Sequence, residues 1–121
     1  MSFVNIPRKD IEQPLPPVGK HPVRLNAAKL RESAAKNQVL NIVWVITGTE
    51  PPAGERVLDN ITLVPEAYWK LNLLFQGIEY KPDEQGFNTD DLIGKECEIT
   101  IIHETGQDGV ERAKVTSYKR I

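Results

Sequence analysis

Between Gln38 and Thr47 the chain reads QVLNIVWVIT. Leu40, Ile42, Trp44 and Ile46 share one parity; Val39, Asn41, Val43, Val45 and Thr47 share the other. Alternation with period two is the mark of a strand, and β-branched and aromatic side chains suit its pleated surface. Apolar residues on both parities need cover on both faces. The segment is therefore expected to be an inner strand, or one whose second face meets a partner. It cannot stand alone, so the rest of the chain must pair with it and cover it.

The flanking segments supply those partners. In GKHPVRLNAAKLRES, Val23, Leu25 and Ala27 alternate with Arg24 and Asn26, which reads as a strand. From Asn26 onward the residues are good helix formers, so propensity favours a helix there instead. GTEPPAGER is a turn by its Gly and Pro content. RVLDNITLV is a third strand, with Val57, Ile61 and Leu63 on one parity, Asp59 the polar exception among them, and Leu58, Asn60 and Thr62 opposite.

The period then changes. In PEAYWKLNLLFQGI, Tyr68, Leu71, Leu74 and Phe75 recur at helical spacing, after Pro65 and Glu66 in the favoured first-turn positions. Gly77 is the expected stop. Tyr68 and Trp69 are expected to pack as helix core. EYKPDEQGFNTDDLIGKE is a polar connection with one short turn at TDDLIG. KECEITIIHE and VERAKVTSYKRI are strands joined by the hairpin loop TGQDG. In the last strand Ala113 and Val115 face one way, and Arg112, Lys114, Thr116 and Tyr118 face the other.

The order is three strands, a helix and a two-stranded hairpin. It predicts a mainly β chain: a five-stranded OB-fold Greek-key barrel, its helix between strands 3 and 4. On that reading ESAAKNQ is the loop between strands 1 and 2. The rival, an α+β fold with a helix over residues 26–37, explains fewer of the later elements. Residues 1–18 hold Pro7, Pro14, Pro16 and Pro17, which resist helix and sheet. They are read as an extended arm that Val4, Ile6 and Ile11 could dock, and 19–121 as the domain. A length of 121 residues suits one such domain.

Four stretches resemble a family of small phage-encoded OB-fold proteins that bind single-stranded DNA and accompany phage recombination genes. They are the strand GKHPVRL opened by Gly19, and the Ser33–Asn37 loop before VLNIVWVI. The others are VLDNITL leading to a helix that ends LLFQGI, and DDLIGKECEITI. The resemblance spans about residues 19–119 and implies a role in phage DNA replication or recombination. It also implies recombinase or replication proteins as partners. Such proteins often recruit partners through an acidic C-terminal tail; this chain ends SYKRI, so that route is not expected.

The net charge of −2 argues against wrapping nucleic acid by bulk charge, but 15 Lys and Arg leave room for a local basic groove. No apolar run reaches the length of a membrane span. The first residues lack the apolar core of a signal peptide, so the expected location is the host cytoplasm. The single cysteine, Cys97, can form no internal disulfide and is expected to be a buried small hydrophobe. His21 and His103 have no metal-ligand partner at characteristic spacing, and no nucleophile or phosphate loop is apparent. No enzyme, metal or cofactor is expected.

Single-stranded DNA asks for cations along the phosphates and flat surfaces for the bases. In an OB-fold the groove crosses strands 2 and 3 between the first and last hairpin loops. The candidate phosphate contacts are Arg24 on the outward parity of strand 1, Lys29, Arg31 and Lys36 in the first loop region, Arg56 at strand 3, and Arg112 and Lys114 on the last strand. Tyr118 is a stacking candidate. Trp44 is a second one, although its parity favours the core. Asn41, Asn60 and Thr62 fall on the expected groove face. The alternative is a protein-interaction module that forms a homodimer through Val39, Val43 and Val45 and binds no nucleic acid.

Overall fold

A computed structural model describes residues 1–4 and 15–121. Five strands form one antiparallel sheet: β1 (Gly19–Glu32), β2 (Gln38–Ile46), β3 (Arg56–Thr62), β4 (Glu96–Thr105) and β5 (Glu111–Lys119). Their order across the sheet is β3-β2-β1-β4-β5. One helix, α1 (Tyr68–Gly77), follows a 3-10 turn at Pro65–Ala67, and a second 3-10 turn spans Thr89–Leu92. The mainly β chain with one helix between the third and fourth strands is as expected. The backbone ladder does not close into a barrel: β3 and β5 are the two outermost strands of the sheet.

β1 is the hub. It pairs with β4 over Gly19–Arg24 and with β2 over Val23–Glu32. Where it leaves β4, Asn26 is an extra residue between the Leu25–Trp44 and Ala27–Val43 pairs. Such a bulge reverses which parity faces the core. Val23 and Leu25 are buried before it and Ala28 after it. The strand continues to Glu32, so the helix that propensity favoured over 26–37 does not form. Ladder bonds to β2 and burial of Ala28 outweigh a preference worth tenths of a kcal/mol per residue. The first loop is short. Ser33 accepts at its carbonyl from Lys36 N at 2.9 Å, and Lys36 takes a positive φ of 64°.

The core lies on one face of the sheet. Leu40, Ile42, Trp44 and Ile46 of β2 meet Val57 and Ile61 of β3 and Cys97, Ile99 and Ile101 of β4, capped by Leu74 and Phe75 of α1. Cys97 is fully buried, and burial pushes its thiol up to about 12. Gly77 ends the helix, but not through a left-handed backbone. A Cβ there would stand 2.7 Å from Tyr118 Cβ on β5, so glycine is needed for close approach.

Two sequence expectations fail on this face. Tyr68 and Trp69 are exposed, at 51% and 63%, because the helix packs by its Leu74–Phe75 side. Tyr118 is buried, 9% exposed, because Thr116 is an extra residue between the Ser117–Thr100 and Val115–Ile101 pairs. That second bulge turns Tyr118 inward, where its ring lies 6.0 Å from Trp44.

Of the Pro-rich arm, residues 5–14, with Pro7, Pro14, Ile6 and Ile11, lie outside the described residues. Pro16 is buried against the domain. His103 Nε2–H donates to the Pro16 carbonyl at 2.7 Å, and His21 Nε2–H donates to that of Pro17 at 2.8 Å. Two histidines far apart in sequence thus hold consecutive residues of the arm.

Candidate functional site

The outward face of β1, β2 and β3 is laid out in rows by the ladder register. Arg24, Val45 and Arg56 form one row; Ala27, Val43 and Leu58 the next; Lys29, Asn41 and Asn60 the third; Arg31, Val39 and Thr62 the fourth. Successive rows are about 7 Å apart along the strands. A groove of about 430 Å³ runs over the middle rows, walled by Ala27, Val43 and Leu58 and by Lys29, Arg31, Asn41 and Asn60. An apolar strip thus has cations on both sides of it.

The bulge at Asn26 creates this arrangement. In an unbroken strand Lys29 and Arg31 would share the parity of Val23 and Leu25 and point into the core. The extra residue sends them outward beside Asn41 and Val39. Both are therefore strand residues, not loop residues as the sequence reading has them. Arg31 Nε–H donates to Asn41 Oδ1 at 3.1 Å, which ties two residues of the groove lining together. The rows contain no carboxylate: Asp59 and Val57 lie on the core parity of β3. Among the described residues, no ion pair engages Arg24, Lys29, Arg31, Lys36 or Arg56. Arg24 has Glu96 as its ladder neighbour on β4. Lys36 stands exposed at the tip of the β1–β2 turn.

The cations of β5 differ. Arg112 donates two hydrogen bonds to Asp108, at 2.7 and 3.2 Å, and holds that carboxyl down at about 2. Lys114 lies 3.0 Å from Glu104. Neither lines the groove.

Neither proposed stacking ring is available. Trp44 is 0% exposed, and Tyr118 is enclosed with its hydroxyl donated to Asp59. Burial and the Asp59 carboxylate both raise the Tyr118 phenol. Asp59 explains the polar exception noted in the third strand. It is 5% exposed and accepts from Lys70 Nζ at 3.2 Å, from Asn60 N at 2.9 Å and from Tyr118. The carboxylate links β3, α1 and β5.

The sequence reading gives Val43 to a dimer face and assigns no binding role to Ala27 or Leu58. The signal of the apolar strip was Leu58, an apolar residue between Asp59 and Val57 on the polar parity of strand 3, now 69% exposed. Among the described residues, no group of three or more His, Cys, Asp or Glu side chains converges on a common point. No described helix is long and apolar enough to cross a membrane. Comparison with models of known protein families, and with curated proteins, finds no match to this chain.

Proposed function

We propose that the chain is an OB-fold protein that binds single-stranded DNA with little base specificity, across the outward face of β1, β2 and β3. The observation that carries this reading is the row pattern: Arg24 and Arg56 on one side of the Ala27–Val43–Leu58 strip, Lys29 and Arg31 on the other, with no carboxylate between. A basic track can follow a phosphate backbone, and an apolar floor accepts base faces without reading their edges. The OB-fold assignment is supported by the strand order and by the Tyr118–Asp59 bond between the two outermost strands. A barrel of this type is partly open. The setting in phage replication or recombination, in the host cytoplasm and with recombinase or replication partners, rests on the sequence resemblance.

The dimerisation reading is less well supported. Val39 is buried within the chain itself, and Val43 and Val45 are half-buried. Two copies joined through this face would bring their Arg and Lys rows together, and like charges in contact oppose association.

Titration of labelled oligo-dT at two salt concentrations tests the proposal. Binding is expected at micromolar or tighter affinity in low salt. If the four groove-face cations each neutralise one phosphate, log K falls with log salt at a slope of about −3. Absence of binding at low salt overturns the proposal.

A further inference from the structure

A strand of DNA lying across β1, β2 and β3 passes off the sheet over β3, whose far side no other described strand pairs. The first turn of α1 stands there. Lys70 Nζ reaches back to β3, 3.2 Å from the carbonyl of Asn60, a residue of the groove wall, and 3.2 Å from Asp59. Trp69 precedes it. Consecutive Cα atoms lie about 3.8 Å apart, so the Trp69 backbone adjoins the residue that fastens the helix to the groove.

The side of the helix matters more than proximity. Lys70 and Gly77, seven residues apart, share one side of α1. Lys70 bonds β3 and Gly77 abuts Tyr118 of β5, so that side is turned to the β3–β5 seam. Trp69 and Leu73 flank it, on the side away from the buried Leu74 and Phe75. Tyr68 lies on the opposite side of the core-facing stripe. Trp69 is 63% exposed and Leu73 38%, and among the described residues neither belongs to the buried core cluster.

We infer that Trp69 is the base-stacking platform of this protein, receiving a base of the strand as it passes off β3. The inference rests on the strand-binding reading above. It supplies the aromatic ring that the groove's apolar floor lacks, since Trp44 and Tyr118 are enclosed. The ligand is single-stranded nucleic acid whose bases are free to unstack, and stacking on one indole is indifferent to which base arrives.

The chain's two tryptophans make this testable in the full protein. Binding is followed by anisotropy of labelled oligo-dT, and tryptophan emission is recorded in parallel. Oligo-dT is expected to quench the wild type. Trp69→Phe is expected to bind while its remaining Trp44 emission does not respond. Trp69→Ala is expected to bind about tenfold more weakly, with an unchanged urea unfolding midpoint because the side chain is exposed. Binding without quenching, or unchanged affinity in Trp69→Ala, overturns the stacking role and leaves groove binding standing. No anisotropy change in the wild type overturns both.

Discussion

The hydroxyl of Tyr118 on β5 is donated to the carboxylate of Asp59 on β3, and this bond spans the two outermost strands of the sheet. No backbone ladder joins those strands. The contact is buried and charge-assisted, and such bonds are worth more than neutral ones. Tyr118→Phe keeps the ring against Trp44 and removes only the donor. It is expected to lower unfolding free energy by about 1–3 kcal/mol in urea titration. Asp59→Ala is expected to cost more, because Tyr118 and Asn60 N lose their acceptor and Lys70 loses its ion pair. A neutral effect of both substitutions would remove the seam from the account of stability.

Gly77→Ala separates packing from propensity. Alanine is the better helix former by about 1 kcal/mol. Yet its Cβ would meet Tyr118 Cβ at 2.7 Å, a distance real contacts do not show. Overpacking of this kind costs about 1–3 kcal/mol. The variant is expected to melt below the wild type, and a raised Tm would show that the helix can shift away from β5.

The groove and the last strand make opposite predictions for the same chemical change. Lys29→Glu with Arg31→Glu is expected to weaken oligo-dT binding more than tenfold. The same pair should reduce the salt slope by about 1.4 if each cation held one phosphate. Lys114→Glu breaks only its pair with Glu104 on the surface. It is expected to leave affinity within about twofold at 0.15 M salt, where charges farther than roughly 8 Å apart are screened. Equal losses from both changes would mean that overall charge, not the groove, attracts DNA.

Alkaline pH acts on the core. Burial lifts the Cys97 thiol from an ordinary 9.0 to about 12, with Asp59 and Glu98 adding to the shift. It also raises Tyr118, whose ordinary value is 10.0. The folded chain therefore keeps protons that the unfolded chain releases. Their contribution is fully present below pH 9 and is lost as pH rises, by at most about 1.4 kcal/mol per pH unit for each group. Urea midpoints are expected to hold from pH 7 to 8.5 and fall from 9 to 11. Cys97→Ala should flatten the first part of that fall, and a midpoint unchanged to pH 11 would contradict the burial of both groups.

Much of this architecture was legible beforehand. Period-two alternation found all five strands, and the change to helical spacing after Pro65 found α1. Parity placed Leu40, Ile42, Trp44 and Ile46 inside, and it put Asn41, Asn60 and Thr62 on the groove face. Residue types also marked the short turn at TDDLIG, where Asn88 Oδ1 accepts from Asp90 N at 3.0 Å.

Parity failed where a strand carries one residue too many. Nothing in NAAKLRE marks Asn26 as the extra residue, because the bulge arises where β1 passes from β4 to β2. Nothing in VTSYK marks Thr116, because that bulge serves the seating of Tyr118 between Trp44 and Asp59. The sequence by itself determined which segments are strands and which residues fill most of the core, since alternation and side-chain shape act locally. Only the tertiary structure decided that Lys29 and Arg31 face outward, that Tyr118 faces inward and that Trp69 is left in the open. The pairing of strands distant in sequence sets the register, and a one-residue shift in register exchanges the two faces of everything beyond it.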